Sequence, residues 1–154
     1  MPKILQTNNT ALLSLLNKEI QEYHHSIQPN IFKPYHPEDI KLFFDMTLQH
    51  PMNAAFVVMD KDEAVGYILL NIIETKENPF QFARRYLLID QILVLKSHRK
   101  KGIGNLLVNH AIEFAKIHHI PTIELNHWSM NQTARGFFKK LNFEYYNEKM
   151  WLYL

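Results

Sequence analysis

The chain has 154 residues, enough for one ordinary domain and little more. With 47% apolar and 21% charged residues it has a globular balance that excludes disorder of the whole chain. Lys+Arg 17 against Asp+Glu 15 leaves a net charge of +2, too weak a field for a dedicated nucleic-acid domain, and Cys 0 excludes disulfides, thiolate metal sites and a cysteine nucleophile.

Lys3 to Gln6 reads as a first short strand. Asn8-Asn9-Thr10 then offers capping side chains to a helix that carries Ala11, Leu12, Leu15, Leu16 and Ile20 on one face and runs to about His25. Pro29, Pro34 and Pro37 break the next stretch into a loop, and Pro37-Glu38-Asp39 opens a second helix through Leu42, Phe43 and Met46. Ala54 to Met59 and Ala64 to Ile73 are apolar and β-branched, and Asp60-Lys61-Asp62-Glu63 joins them as an antiparallel hairpin. Tyr86 to Leu95 is a third long strand. Strict alternation puts Leu88, Asp90, Ile92 and Val94 on one face and Ile89, Gln91, Leu93 and Leu95 on the other.

Ile103, Leu106, Leu107, His110, Ala111, Phe114 and Ala115 form the clearest helical stripe in the chain. Pro121 precedes a strand, Thr122 to His127, after which Ser129 and Gln132 have capping-box spacing, with Asn131 a competing cap, for a helix burying Ala134, Phe137, Phe138 and Leu141. Asn142 follows where a left-handed residue often ends a helix. Phe143 to Tyr146 and Lys149 to Tyr153 read as a closing strand pair around Asn147-Glu148. The expected fold is one mixed α/β domain over residues 1–154, its sheet of six to seven mostly antiparallel strands covered by helices on both faces.

The segment Arg99-Lys100-Lys101-Gly102-Ile103-Gly104-Asn105 joins the central strand to the best helix. Two of the chain's four glycines stand here, where a helix start leaves N–H groups without acceptors and three cations cluster. That combination suits a pyrophosphate. A dinucleotide fingerprint would need a small residue where Leu107 stands, and no P-loop Lys-Ser/Thr pair follows.

These residues resemble the Q/R-x-x-G-x-G/A acetyl-CoA signature of the GNAT N-acetyltransferase superfamily. Downstream, Asn131-x-x-Ala134-x-x-Phe137-Phe138-x-Lys140-Leu141-Asn142-Phe143 resembles that family's N-x-x-A-x-x-F-Y-x-K-L-G-F segment, and the hairpin with Gly66 resembles its second and third strands. The resemblance implies an acetyl-CoA-dependent transfer of acetyl to a primary amine by direct attack on the thioester, the cosubstrate lying between splayed parallel strands, here Leu87–Leu95 and Thr122–His127. It further implies that the backbone of Leu93, Val94 and Leu95 pairs with pantetheine, that the amides of Arg99, Lys100, Lys101, Gly102, Ile103, Gly104 and Asn105 hold the pyrophosphate, and that Asn131 and Phe138 flank the sulfur. A backbone N–H of Leu93 or Val94 is the expected donor to the developing oxyanion.

Asp90, a carboxylate inside an apolar strand, is the first candidate for base or substrate anchor, or else a structural carboxylate paired with Arg84 or Arg85. Glu124 on the neighbouring strand is the second candidate, or else a solvated or structural residue. Phe138 stands where many similar proteins carry a tyrosine acid, which leaves water, Tyr145 or Tyr146 to protonate the thiolate and opens the alternative of a non-catalytic acetyl-CoA-binding sensor. The acceptor is a small-molecule or peptide amine, with His24, His25, Phe32 and Tyr35 as a wall or as plain packing. Asn78 to Arg85 is a flap or an ordinary loop. No metal, nucleic-acid or membrane partner is expected. The first seven residues lack a secretory pattern and no apolar run reaches the roughly 20 residues of a membrane span, so cytoplasm is the default location. Exposed closing strands are available for pairing in a homodimer.

Overall fold

The computed structural model describes all 154 residues. Strand β1 (Lys3–Thr7) leads into α1 (Thr10–Ile27), whose start is fixed by Asn9 Oδ1 accepting the Leu12 N–H at 3.0 Å. Helix α2 (Pro37–Leu48) begins with proline at its first position and Glu38 and Asp39 in its first turn, where the helix dipole favours negative charge. Strands β2 (Asn53–Asp60) and β3 (Glu63–Thr75) form the expected hairpin, with Lys61 at φ 56 in the tight turn. Strand β4 (Arg84–Val94), a 3₁₀ turn (Lys96–His98), α3 (Ile103–Ile117), β5 (Ile123–Leu125) and α4 (Gln132–Lys140) complete the elements. Asn131, not Ser129, caps α4, its Oδ1 accepting the Ala134 N–H at 3.1 Å.

The sheet has five strands in the order β1-β2-β3-β4-β5, antiparallel up to β4 and parallel between β4 and β5. Leu13, Leu16 and Phe44 of α1 and α2 cover one face, against Ala55, Val57, Tyr67, Leu69 and Leu93. Ile103, Leu107, Ala111 and Ala115 of α3 cover the other, against Phe56, Val58, Ile68, Leu70, Leu87 and Ile89. Burying these two apolar faces is the main force holding the layers together. Gly66 lets β3 and β4 approach closely, since a Cβ there would lie 2.6 Å from the Leu93 carbonyl oxygen.

Three expectations are corrected. The alternation expected for β4 fails at a bulge: Leu69 pairs with Gln91 and Leu70 with Ile89, leaving Asp90 with no partner on β3. One inserted residue flips the parity, so Leu87, Ile89, Ile92 and Val94 share the α3 face, while Gln91, Leu93 and Leu95 face α1 and α2. The expected strands Phe143–Tyr146 and Lys149–Tyr153 do not form, which makes the sheet five-stranded and puts the parallel pair at one edge. Asn142 adopts φ 64 and the Phe143 N–H closes α4 by bonding the Phe138 carbonyl at 3.1 Å; no later residue enters a backbone hydrogen bond. Strand β5 is correspondingly shorter than Thr122–His127.

Candidate active site

Strands β4 and β5 pair only over Leu87–Ile89 and Ile123–Leu125, and from Asp90 onward they part. The bulge lies at the point of divergence, and the opening leads to the start of α3. Strand alternation decides which main-chain groups line it. The Leu95 N–H bonds the Val65 carbonyl at 2.9 Å, so Leu95, and Leu93 two residues before it, direct their N–H groups toward β3. Ile92 and Val94 face the opening instead. Of the three residues expected to pair with pantetheine, Val94 alone turns its N–H that way, and Ile92, which the motif reasoning missed, joins it.

The N–H groups of Lys100, Lys101, Gly102, Ile103, Gly104 and Asn105 have no acceptor in the protein; the first amide of α3 that does is Leu106, bonded to Gly102 at 3.0 Å. Lys100 at φ 61 and Gly102 at φ 81 turn this loop into a concavity of successive donors, the usual form of an anion-binding nest. For Lys100 the left-handed geometry is strained, a feature that recurs at functional sites. A Cβ at Gly102 would meet nothing within 4 Å, so space for a ligand is open above it. The residues present therefore fit a pyrophosphate held by main-chain donors at a helix start.

Arg99 takes another position than its cationic role required. Its Nε donates to the Val94 carbonyl at 3.0 Å and its guanidinium approaches Glu19 at 3.9 Å, while Glu19 also accepts the Lys96 N–H at 2.9 Å. The arginine ties α1 to the end of β4 and leaves Lys100 and Lys101 as the free cations of the loop.

On the α1/α2 face, the Tyr67 hydroxyl donates to Gln91 Oε1 at 2.6 Å and accepts from Asn17 Nδ2 at 2.8 Å. Burial pushes the Tyr67 phenol far above its usual range, with the nearby Asp90 charge adding to the effect. Asp90 thus shares this face. Its side chain reaches solvent, yet the surrounding protein removes enough water to raise its carboxyl above the ordinary 3.8. Neither expected arginine pairs with it: Arg84 bonds Glu124 at 2.6 Å, and Arg85 bonds Glu74 at 3.0 Å and the His118 carbonyl at 2.7 Å. Glu124 is thus paired with Arg84. Tyr146 joins the Arg84–Glu124 pair, and Glu124 holds its phenol above the ordinary value, which makes it a poorer acid.

Phe138 is buried among Phe137, Phe143 and His127, and Asn131 uses its side-chain oxygen as the α4 cap. His127 stacks at 6.4 Å on the Phe138 ring, and its Nε2 lies 3.1 Å from the Tyr145 hydroxyl. The loop after α1 reaches toward this region: His24 stacks on Phe32 at 4.7 Å, Phe32 meets Trp128 edge-on at 5.1 Å, and Gln28 contacts Met130 at 3.1 Å. His25 bonds the Phe32 carbonyl at 2.7 Å and Tyr35 bonds the Ser14 carbonyl at 3.1 Å, so both side chains are held in place by the loop and by α1. The Asn78 side chain pins its loop by accepting from Phe80 and Gln81, with Phe80 and Phe82 left exposed.

The model of the acetyltransferase (GNAT) family matches residues 17–143. The chain belongs to the GNAT family. Among GNAT relatives, streptothricin acetyltransferase A of Bacillus subtilis (strain 168) is 31% identical over 112 residues, covering 73% of this chain and 58% of that protein. Peptidyl-lysine N-acetyltransferase YjaB of Salmonella typhimurium is 32% identical over 110 residues, covering 71% of this chain and 61% of that protein. The matched stretch is about three fifths of the length of either relative. The fold is shared with the tetramutant of the BH1408 protein from Bacillus halodurans, at a TM-score of 0.91 and 22% identity over 100% of this chain and 99% of that one. It is also shared with AAC(6')-Iy in complex with a bisubstrate analogue, CoA-S-monomethyl-acetylneamine, at a TM-score of 0.75 and 20% identity over 100% and 98% of the two chains. No helix is long and apolar enough to cross a membrane.

Proposed function

We propose that this GNAT protein is an N-acetyltransferase that moves an acetyl group from acetyl-CoA to a primary amine by direct attack, without a covalent enzyme intermediate. The observation that carries this reading is the run of six acceptor-free amides, Lys100 to Asn105, beside diverging strands at the start of a 15-residue helix. Acetyl-CoA supplies an activated thioester when bound. The amides Lys100 to Asn105, with Lys100 and Lys101, hold its pyrophosphate, and the Val94 N–H, already oriented into the opening, donates to the carbonyl oxygen as charge develops there.

On the acceptor side, Asp90 anchors the ammonium form and receives its proton through contact or one water. A lysine-like amine with a pKa of about 10.4 costs about 4.6 kcal/mol to deprotonate at pH 7, against about 1.1 kcal/mol for an α-amine near 7.8, so a base matters most for the former. Streptothricin and peptidyl-lysine, named for the curated relatives, suggest an amine in a polar small molecule or a peptide as acceptor. Phe138 favours one competing reading, a sensor that binds the cosubstrate without turnover, because its ring has no proton to give the departing thiolate. A thiol of pKa near 8.5 is a modest base, however, and Tyr145 or water suffices as donor.

Thiol release from acetyl-CoA across a diverse amine panel, with coenzyme A binding measured by calorimetry, tests both readings. Turnover with at least one amine is expected, together with loss of coenzyme A binding in a folded Gly104→Glu variant. Binding without release across the whole panel supports the sensor, and unchanged affinity in the variant refutes the pyrophosphate site.

A further inference from the structure

We infer that Glu19 of α1 is a positioning residue for the amide loop Lys100–Asn105, an inference that rests on the cosubstrate site proposed above. The loop suits an anion only while its successive N–H groups converge, and that shape has to be held, since Lys100 sits at φ 61 and Gly102 at φ 81. From Gly102 onward α3 holds it, the Leu106 N–H bonding the Gly102 carbonyl at 3.0 Å. Before Lys100 the chain itself supplies only the short turn Lys96–His98, with the His98 N–H on the Leu95 carbonyl at 2.9 Å and the Arg99 N–H on the Lys96 carbonyl at 3.4 Å. The firmer hold comes from another element. Glu19 Oε2 accepts the Lys96 N–H at 2.9 Å and lies 3.9 Å from the Arg99 guanidinium, whose Nε donates to the Val94 carbonyl at 3.0 Å. Outside residues 94–106, Glu19 is the only hydrogen-bond or ion-pair partner of residues 96–102.

Glu19 is itself well placed to serve as an anchor. Leu13 and Leu16 of α1 are buried against the sheet, and Asn17 donates to the buried Tyr67 hydroxyl at 2.8 Å and to Gln91 Oε1 at 3.3 Å. One helix therefore grips β4 at Gln91, the residue after Asp90, and the amide loop at Lys96 and Arg99, so the two keep their places relative to one another. Charge alone argues against a carboxylate at this position, because it repels a pyrophosphate held nearby. Position and charge thus predict opposite signs for its removal. Glu19→Gln keeps a side-chain oxygen for the Lys96 N–H and removes the charge, whereas Glu19→Ala removes both. The Glu19 side chain is 33% exposed and alanine is the best helix former, so both variants are expected to fold.

Calorimetry with coenzyme A on the wild type and both variants, combined with hydrogen exchange at the Lys96 amide of the cofactor-free chain, tests the inference. The Lys96 amide is expected to exchange slowly in the wild type and in Glu19→Gln and fast in Glu19→Ala. Loss of one hydrogen bond to a charged group should weaken coenzyme A binding by about tenfold in Glu19→Ala, while Glu19→Gln stays within about threefold of the wild type. The KM for acetyl-CoA should rise with the Kd in Glu19→Ala, with kcat at saturating acetyl-CoA and the KM for the amine unchanged. Glu19→Ala binding coenzyme A as tightly as the wild type, or more tightly, overturns the inference in favour of charge or of no role. A fast Lys96 amide in the wild type overturns it too, as does a fall in melting temperature and kcat with the Kd unmoved, the mark of a merely structural residue. A wild type that does not bind coenzyme A overturns the cosubstrate site and this inference together, whereas equal binding by wild type and Glu19→Ala overturns this inference alone.

Discussion

Gly104, in the first turn of α3, lies directly under the Phe137 ring of α4: a Cβ added there would come within 2.9 Å of Cζ and 3.1 Å of Cε2. This contact sets how closely the amide loop sits against α4. Gly104→Ala gains up to about 1 kcal/mol of helix propensity in isolation, but the ring must move, and overpacking costs about 1–3 kcal/mol. A net loss of about 1 kcal/mol is expected in urea denaturation. In a Phe137→Leu background the same change becomes neutral or stabilising, and an equal cost in both backgrounds would place the strain elsewhere.

Tyr67, Gln91 and Asn17 form a buried polar cluster in which Asn17 Oδ1 already lacks a partner. Tyr67→Phe removes the hydroxyl and leaves Gln91 Oε1 and Asn17 Nδ2 under-satisfied away from water. It should cost about 1–3 kcal/mol by chemical denaturation. Because the phenol is held far above its ordinary range, spectrophotometric titration should show one tyrosine that ionises only as the protein unfolds. Ionisation of every tyrosine in the folded state near pH 10 would contradict this burial.

The two faces of the domain were legible wherever periodicity alone decides. The α3 stripe from Ile103 to Ala115 meets the sheet at the positions its spacing requires, and the acceptor-free amides follow from the glycines at its start. Periodicity cannot register one extra residue in a strand, so the bulge at Asp90 inverted the expected faces of β4 from that point on. Nor does a strand-like pattern make a strand without a neighbour to pair with, as Lys149–Tyr153 shows. The remaining surprises are long-range pairings: Arg99 with Glu19 across 80 positions, and Arg84 with Glu124 across 40. Neither has a local signature, and each removes a charged group from the role that its motif suggested.

Burial holds the imidazoles of His24 and His110 below their ordinary pKa of 6.5, and His110 Nε2 lies buried against Phe56 without a hydrogen-bond partner. Both residues bind fewer protons in the folded chain than in the unfolded one, so stability is full above pH 6.5 and falls as the pH drops below that value. Melting temperature should decline between pH 7 and pH 5, and His110→Leu should flatten the decline. An identical slope in that variant would assign the acid sensitivity to other groups.

Asp90 is the residue on which the proposed proton transfer rests, because the bulge places it where β4 and β5 part, on the face shared with Tyr67, and no arginine neutralises it. Burial raises its carboxyl above the ordinary 3.8, so kcat/KM should fall on acidification at a higher pH than for a solvated carboxylate. Asp90→Asn keeps the shape and removes the charge. A base acting at the amine is worth roughly 10²–10⁴ in rate, and the loss should be larger for amines of pKa about 10.4 than for those near 7.8, since the former need the most help to shed a proton. The acid limb of the profile should vanish in the same variant. If Asp90 served only to anchor the ammonium, KM would rise for all amines alike with kcat unchanged; if it were structural, coenzyme A binding and melting temperature would fall together and the pH profile would keep its shape.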